Sequence, residues 1–364
     1  MKKNKKNMII YFSKLSIGGM ERALIDFIHQ SNLKKNYNIT LYVGYVLEKS
    51  YLEDLNKIIN VKVICKGKWN IIGKIYSYLI MNLDILKNKL RRNKYDCSIS
   101  YCYQHKIISK LARTASNNNI IFVHNDLIKC RSEKQSLKMM KDIKFDLFSK
   151  VVCVSNSALD SFNKLYPNYK GKSVKINNFV NGDNIINKSK EIVDDIEFNK
   201  ITFINIARHL EVHKGISKII ESTKILKEKG YDFQVILIGD GEDHSNYIDL
   251  VNKYDLNDYI KILGSKLNPY KYLVKSDCLL FSSNFEGYGL VFDEARILNK
   301  PFITTDVADS KTFCTQGYGI LVDNNIESFS KGMEYYLNNG FKTKKFDYIK
   351  FNNIIREEID KIVK

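Results

Sequence analysis

The feature that most constrains this chain is an alternation that runs through it twice. Short apolar runs recur, each followed by a helix-length segment. The first series of candidate strands is Met8–Phe12, Ile39–Val43, Val61–Cys65, Cys97–Tyr101, Ile120–Val123, Val151–Val154 and Val174–Ile176. The second is Ile201–Ile206, Phe233–Ile238, Tyr259–Leu263, Cys278–Phe281, Phe302–Thr304 and Gly319–Val322. Segments such as Glu21–Gln30, Ile72–Arg91 and Ser132–Phe148 separate the runs and have helical length. Strands that alternate with helices build parallel sheets covered on both faces. At 364 residues the chain also exceeds what one hydrophobic core supports. The expected fold class is therefore α/β, with two Rossmann-like, doubly wound domains facing a cleft. Ligands bind such sheets beyond the carboxyl ends of the strands.

The polar stretch Asn177–Lys200 separates the two series. It predicts one domain over residues 1–180 and a second over 181–340. Residues 341–364 are left as a terminal segment whose charged amphipathic helix, Phe346–Lys364, is expected to pack back toward the first domain.

Charge divides at the same place. Residues 1–180 carry 33 Lys and Arg against 12 Asp and Glu, a balance of +21. Residues 181–364 carry 25 against 28, a balance of −3. The first half is thus expected to face something anionic, unless its lysines are simply a solvated surface. None of the familiar nucleic-acid modules is evident, so nucleic acid is not the expected partner. The segment Ile71–Lys94 is apolar at its start, and five of its last eight positions are Lys or Arg. It reads either as a core-packing helix with a basic end or as a segment lying on an anionic leaflet.

Seven cysteines, at 65, 97, 102, 130, 153, 278 and 314, form no C-x-x-C pair, and several sit in apolar runs. This is the pattern of buried thiols in a reducing compartment. Only five apolar residues follow the basic start, too few for a signal-peptide core. No apolar run approaches the length of a membrane-spanning helix. The expected location is cytoplasmic, peripheral on the inner face of the membrane if the basic segment binds there.

The most informative segment is SSNFEGYGLVFDEA, from Ser282 to Ala295. It leaves the strand-like run ending at Phe281 and passes through Gly287 and Gly289 into a helix starting near Leu290. Glycines let backbone N–H groups approach an anion, and a helix N-terminus adds partial positive charge. Glu286 at the loop mouth suits sugar hydroxyls, and Glu294, one turn into the helix, suits ribose hydroxyls.

This segment resembles the E-x7-E signature of the retaining enzymes of glycosyltransferase family 4, glycosyl transferases group 1, which adopt the GT-B fold. The spacing, the flanking glycines, Ala295 and Pro301 carry the likeness. ARHLEVHKG, from Ala207, resembles the family's G-R-L-x-x-x-K-G segment and implies Arg208 and Lys214 as the diphosphate clamp. Charge grows on that leaving group as the glycosidic bond breaks. IGDGED, from Ile238, implies Gly239 and Gly241 as close approaches to the nucleotide. ILGS implies main-chain contact with the base at Leu263. The resemblance also implies donor contacts at Gly287, Tyr288, Gly289 and Leu290. In the first half, Gly18 and Gly19 match the family's glycine-rich loop beside phosphate and acceptor, with Glu21 opening the helix that follows. His124, just after a strand, matches a histidine near the reacting sugar. Ser155 fits a serine-led helix start, an N-cap. Singly, a Gly-Gly, a glycine after a strand or a lone histidine is as readily structural.

Four positions depart from the family's pattern: Ala207, Asn299, Ala308 and Asp309 stand where it has glycines. Asn299 tolerates a left-handed backbone. The Ala308–Asp309 replacement puts the phosphate-proximal contact there in doubt.

The resemblance implies an acceptor-binding first domain, a donor-binding second domain, and transfer with retention from a nucleotide-sugar, UDP-sugar being the commoner case. It implies a glycan acceptor, expected to be lipid-linked, in capsule, exopolysaccharide or surface-glycan assembly. No Asp-x-Asp motif occurs, so neither a metal nor another cofactor is implied. The competing readings are a GT-B sugar-nucleotide epimerase and a non-catalytic GT-B subunit that binds glycan or a partner.

Overall fold

In a computed structural model, residues 4–65, 70–91, 94–130 and 132–364 are described. The described residues form two sheets, one of seven strands and one of six, and every strand pair is parallel. The first comprises β1 (Lys6–Leu15), β2 (Tyr37–Val46), β3 (Asn60–Cys65), β4 (Cys97–Ser100), β5 (Asn119–Val123), β6 (Lys150–Cys153) and β7 (Ser173–Lys175). Its spatial order is β3-β2-β1-β4-β5-β6-β7. The second comprises β8 (Thr202–Ile206), β9 (Gln234–Ile238), β10 (Ile260–Gly264), β11 (Cys278–Phe281), β12 (Phe302–Thr305) and β13 (Gly319–Val322), in the order β10-β9-β8-β11-β12-β13. All thirteen expected strands are present. In both sheets the winding reverses beside the first strand, between β1 and β4 and between β8 and β11. At such a switch point neighbouring crossovers leave in opposite directions and open a crevice at the carboxyl ends.

Contacts divide the chain into two units. The residues up to Phe179 form one together with Phe351–Lys364, and Val180–Lys350 form the other. Each has its own core. One packs Ile9, Tyr42, Leu111, Ile121 and Phe162; the other packs Phe203, Ile220, Val235, Leu280 and Met333. Among the described residues no disulfide joins the cysteines, and five of the seven are buried.

Two segments differ from expectation. The polar stretch after Asn177 holds a helix, Gly182–Ser189, whose start is capped by the Asn181 side chain accepting from the Asn184 N–H at 3.2 Å. The expected helix over Ser132–Phe148 ends at Ile143, because Lys144 adopts a left-handed backbone (φ 56°). A short 3-10 turn, Phe145–Leu147, follows and helps to bury Phe145 and Phe148.

The helix Ile71–Leu90 buries only Ser77, Met81 and Ile85, a single line at i, i+4, i+8. Ile71, Ile72, Leu79, Leu86 and Leu90 all remain exposed. The predicted basic end includes Arg92 and Asn93, which lie outside the described residues. No helix among the described residues is long and apolar enough to cross a membrane.

The last helix, Tyr348–Val363, buries Ile355, Ile359 and Val363, again at four-residue spacing. The Val363 carbonyl accepts from the Tyr37 hydroxyl at 2.8 Å and from Asn118 Nδ2 at 3.0 Å. Arg356 Nε donates to the Gln30 carbonyl at 2.7 Å. This helix is therefore core to the first unit. Ile359→Ala is expected to cost about 2–4 kcal/mol in urea denaturation; a cost below about 1 kcal/mol would show a peripheral helix.

Candidate functional site

The second unit gathers its chemistry where β8 and β11 end. Phe203 and Ile204 on β8 pair with Cys278 and Leu279 on β11, so the segments that follow them emerge side by side. Hydrogen bonds then join them. The Ser282 hydroxyl donates to the Lys214 carbonyl at 2.9 Å, and the Asn284 N–H donates to the His213 carbonyl at 2.9 Å. Asn284 Nδ2 reaches the Glu211 and Val212 carbonyls, and its Oδ1 accepts from Lys218 Nζ at 2.7 Å. On the other side, the Thr305 hydroxyl at the end of β12 donates to the Ser283 carbonyl at 2.6 Å.

This frame brings Lys214 and Glu286 into direct contact as an ion pair. The Ser283 hydroxyl donates to the same Glu286 oxygen at 3.3 Å. Both charged side chains are mostly buried, and the Lys214 ammonium lies 5.7 Å from the centre of the Phe281 ring. Arg208 is elsewhere engaged. It is exposed and 3.6 Å from the equally exposed Glu242, a loose pair of little energetic weight.

The loop Gly287–Gly289 leads into the helix Leu290–Ile297. Gly289 has φ 79°, and a Cβ there would lie 2.8 Å from the Phe292 ring, so both backbone and space require glycine. Leu290 is the first helical residue. Glu294 is buried and accepts from the Tyr270 hydroxyl at 3.3 Å. Tyr288 turns inward. Its hydroxyl donates to Asp293 at 2.6 Å, and Asp293 is paired with the buried Arg296. Burial, and then the Asp293 charge, push the Tyr288 hydroxyl well above its usual range, so it stays protonated. Its side chain therefore anchors the loop, and only its main chain remains for a ligand.

Gly239 and Gly241 follow β9. A Cβ on Gly239 (φ 149°) would lie 1.8 Å from the Ala207 carbonyl oxygen, and one on Gly241 would lie 2.3 Å from the His209 carbonyl oxygen. Both glycines thus let the loop after β9 press on the loop after β8. Leu263 sits where the β9–β10 register skips, between the Ile262 and Gly264 pairings. Asn299 and Ala308 both take left-handed backbones, at φ 53° and 50°. These are conformations that glycine adopts most cheaply.

Gly19 and His124 belong to the first unit. Gly19 opens the helix Gly19–Gln30, and Glu21 in its first turn accepts from the Ser16 hydroxyl at 2.5 Å. His124 follows β5, is buried, and lies 3.0 Å through Nε2 from the Tyr101 carbonyl. A carbonyl only accepts, so Nε2 carries the proton and Nδ1 is left as an acceptor. Burial lowers the imidazole from 6.5 to about 4. His124 is thus a neutral hydrogen-bonding group near pH 7, not a proton donor. Ser155 caps its helix by accepting from the Ala158 N–H.

The sequence model of the glycosyl transferases group 1 family matches residues 188–352, nearly the whole of the second unit. That unit is a glycosyl transferases group 1 domain. An uncharacterized glycosyltransferase of Methanocaldococcus jannaschii is 40% identical over 108 residues, 30% of this chain and 26% of that protein. The N-acetylgalactosamine-N,N'-diacetylbacillosaminyl-diphospho-undecaprenol 4-alpha-N-acetylgalactosaminyltransferase of Campylobacter jejuni is 23% identical over 52% of each chain. The matches thus span about a quarter and about half of those relatives' lengths. The crystal structure of Anabaena HepE in complex with UDP and glucose superposes with a TM-score of 0.77, covering 98% of this chain and 99% of that one at 16% identity. The fold is GT-B.

Two features of this glycosyl transferases group 1 domain escaped the sequence reading. Asn284 makes five polar contacts, the fifth being the Asn324 side chain donating to its Oδ1 at 3.2 Å, and its only advance signal was a polar Ser-Ser-Asn run after a strand. His209 is buried, with its Nδ1 2.9 Å from that of His244, a residue far along the chain. Burial, and then His244, hold His209 down at about 4.

Depressed histidines bind protons more readily when unfolded. Stability is therefore full above about pH 6.5 and lost as pH falls toward 4. His124→Gln is expected to flatten that decline by up to about 3 kcal/mol in denaturant titrations across this range. An unchanged slope would mean that His124 takes up its proton over the same pH range folded as unfolded.

Proposed function

We propose that the chain is a retaining glycosyltransferase that moves a sugar from a UDP-sugar to a lipid-linked glycan in surface-glycan assembly. The observation that carries this reading is the Lys214–Glu286 contact, held between the loops after β8 and β11. A cation and a carboxylate placed side by side at a switch point suit the two ends of a sugar diphosphate. Lys214 would exchange Glu286 for a phosphate oxygen, and the freed carboxylate would accept from sugar hydroxyls. Arg208, tied only by a loose exposed pair, would swing onto the same diphosphate. Glu294 would take the ribose hydroxyls, and the main chain at Leu263 the base. In the transfer step the bond from anomeric carbon to β-phosphate oxygen breaks as the acceptor oxygen attacks the same face. The acceptor proton passes to the leaving phosphate. His124 would accept a hydrogen bond through Nδ1.

The diphospho-undecaprenol in the Campylobacter relative's name and the UDP and glucose bound by HepE support this choice of acceptor and donor. The helix Ile71–Leu90 supports a membrane surface. Its exposed apolar side chains meet a basic end, Lys87, Lys89 and Arg91, which suits an anionic leaflet.

UDP, but not GDP or ADP, is expected to raise the melting temperature, and Glu294→Ala is expected to abolish the shift. Glu286→Ala and Glu294→Ala should each lower transfer at least 100-fold, roughly 3 kcal/mol of transition-state stabilisation. Full activity in both variants would refute the site, and no shift with any nucleotide at millimolar concentration would favour a non-catalytic subunit. Separately, the protein should sediment with phosphatidylglycerol vesicles in low salt and be released as salt rises, and Leu79→Glu/Leu86→Glu should not bind. Absence of binding by the wild type in low salt would remove the membrane from the account.

A further inference from the structure

The first unit contains a pocket of about 90 Å3 that no part of the proposed transfer reaction uses. Its place follows from strand register. Tyr11 on β1 pairs with Tyr42 on β2, which pairs with Lys62 on β3, so these three side chains form one row across the sheet. The last turns of the helix Ile71–Leu90 cross that row, bringing Asp84 and Lys87; Arg91 and Lys94 follow. Four cations, Lys62, Lys87, Arg91 and Lys94, therefore line a pocket that holds one carboxylate.

That carboxylate is already satisfied. Asp84 accepts from Lys62 at 2.9 Å and from the Tyr42 hydroxyl at 2.8 Å, with Lys87 at 3.9 Å. Burial raises its carboxyl, but these partners outweigh burial and hold it below the usual range, so Asp84 stays charged. Arg91 has no carboxylate partner among the described residues, and Lys94 meets only the Tyr95 ring, at 5.5 Å. Tyr11, 1% exposed, also lines the pocket. Its hydroxyl accepts from Asn88 Nδ2 at 3.4 Å, and its own proton has no acceptor among the described residues. Burial keeps that hydroxyl protonated, well above its ordinary range. A buried donor without an acceptor is costly unless something else accepts from it. The pocket has room for several waters, and so for a small oxyanion.

We propose that this pocket binds a phosphate group, with Arg91 and Lys94 pairing its charge and Tyr11 donating to one of its oxygens. The phosphate comes either from solution or from the headgroup of a lipid beneath the exposed face of the same helix. The site is separate from the donor loops and stands whether or not the chain transfers sugar.

The test uses the full-length protein and inorganic phosphate, with sodium chloride at matched ionic strength as control. Phosphate is expected to stabilise the protein saturably. Arg91→Gln/Lys94→Gln should weaken the apparent affinity at least tenfold, and Tyr11→Phe, which removes only a hydroxyl, several-fold. Lys214→Ala, in the other unit, should leave this component intact. If inorganic phosphate has no saturable effect, phosphatidic acid vesicles are compared with phosphatidylcholine vesicles. Binding to the former alone, weakened by Tyr11→Phe, identifies the headgroup as the source. Failure of both probes, or saturable binding insensitive to Tyr11→Phe and to Arg91→Gln/Lys94→Gln, overturns the proposal.

Discussion

The candidate donor site depends on the short parallel ladder between β8 and β11. That pairing is only two residues long in register, Phe203 with Cys278 and Ile204 with Leu279. It is reinforced from inside by Asn205, whose Nδ2 donates to the Leu280 carbonyl at 2.8 Å while fully buried. Beyond the ladder, Ser282 and Asn284 tie the two loops through main-chain carbonyls, and Thr305 ties in the next strand. These bonds are individually worth about 1 kcal/mol. Together they fix the distance between a lysine on one loop and a glutamate on another, seventy-two residues apart in the chain. The glycines at 239 and 241 serve the same frame, by letting a third loop press on the Ala207–His209 backbone.

The strands were legible because parallel strands are buried on both faces and so read as continuous apolar runs. Val235–Ile238 and Cys278–Phe281 are nearly pure examples. Glu286 and the glycines were legible because they lie in loops directly after such runs, and Lys214 and Glu294 because they stand in the first helical turns beyond those loops. Partnership was not legible. Nothing in the spacing reveals that Asn284 spans two loops, that His209 meets His244, or that Tyr288 faces Asp293 rather than the loop mouth. Each depends on how loops fold back, which periodicity does not encode. Helix ends failed for a similar local reason: Lys144 in a left-handed conformation broke an otherwise unbroken pattern.

The first unit shows the opposite balance between core and surface. Its helix Ile71–Leu90 commits only one line of side chains to the core and leaves most of its apolar residues outside. An ordinary surface helix buries a wider stripe than that. The same helix ends in cations that line a pocket over Tyr11. Apolar exposure and positive charge therefore meet in one place. Register makes that place: Tyr11, Tyr42 and Lys62 are distant in the chain and adjacent only because three strands pair in parallel.

The central claim is that Lys214 and Glu286 hold each other until a nucleotide diphosphate separates them. A crystal structure of the protein with UDP tests it most directly. Lys214 Nζ is expected on a phosphate oxygen, with Glu286 released and the ribose hydroxyls on Glu294. UDP bound away from these three residues, with the Lys214–Glu286 pair intact, would contradict it.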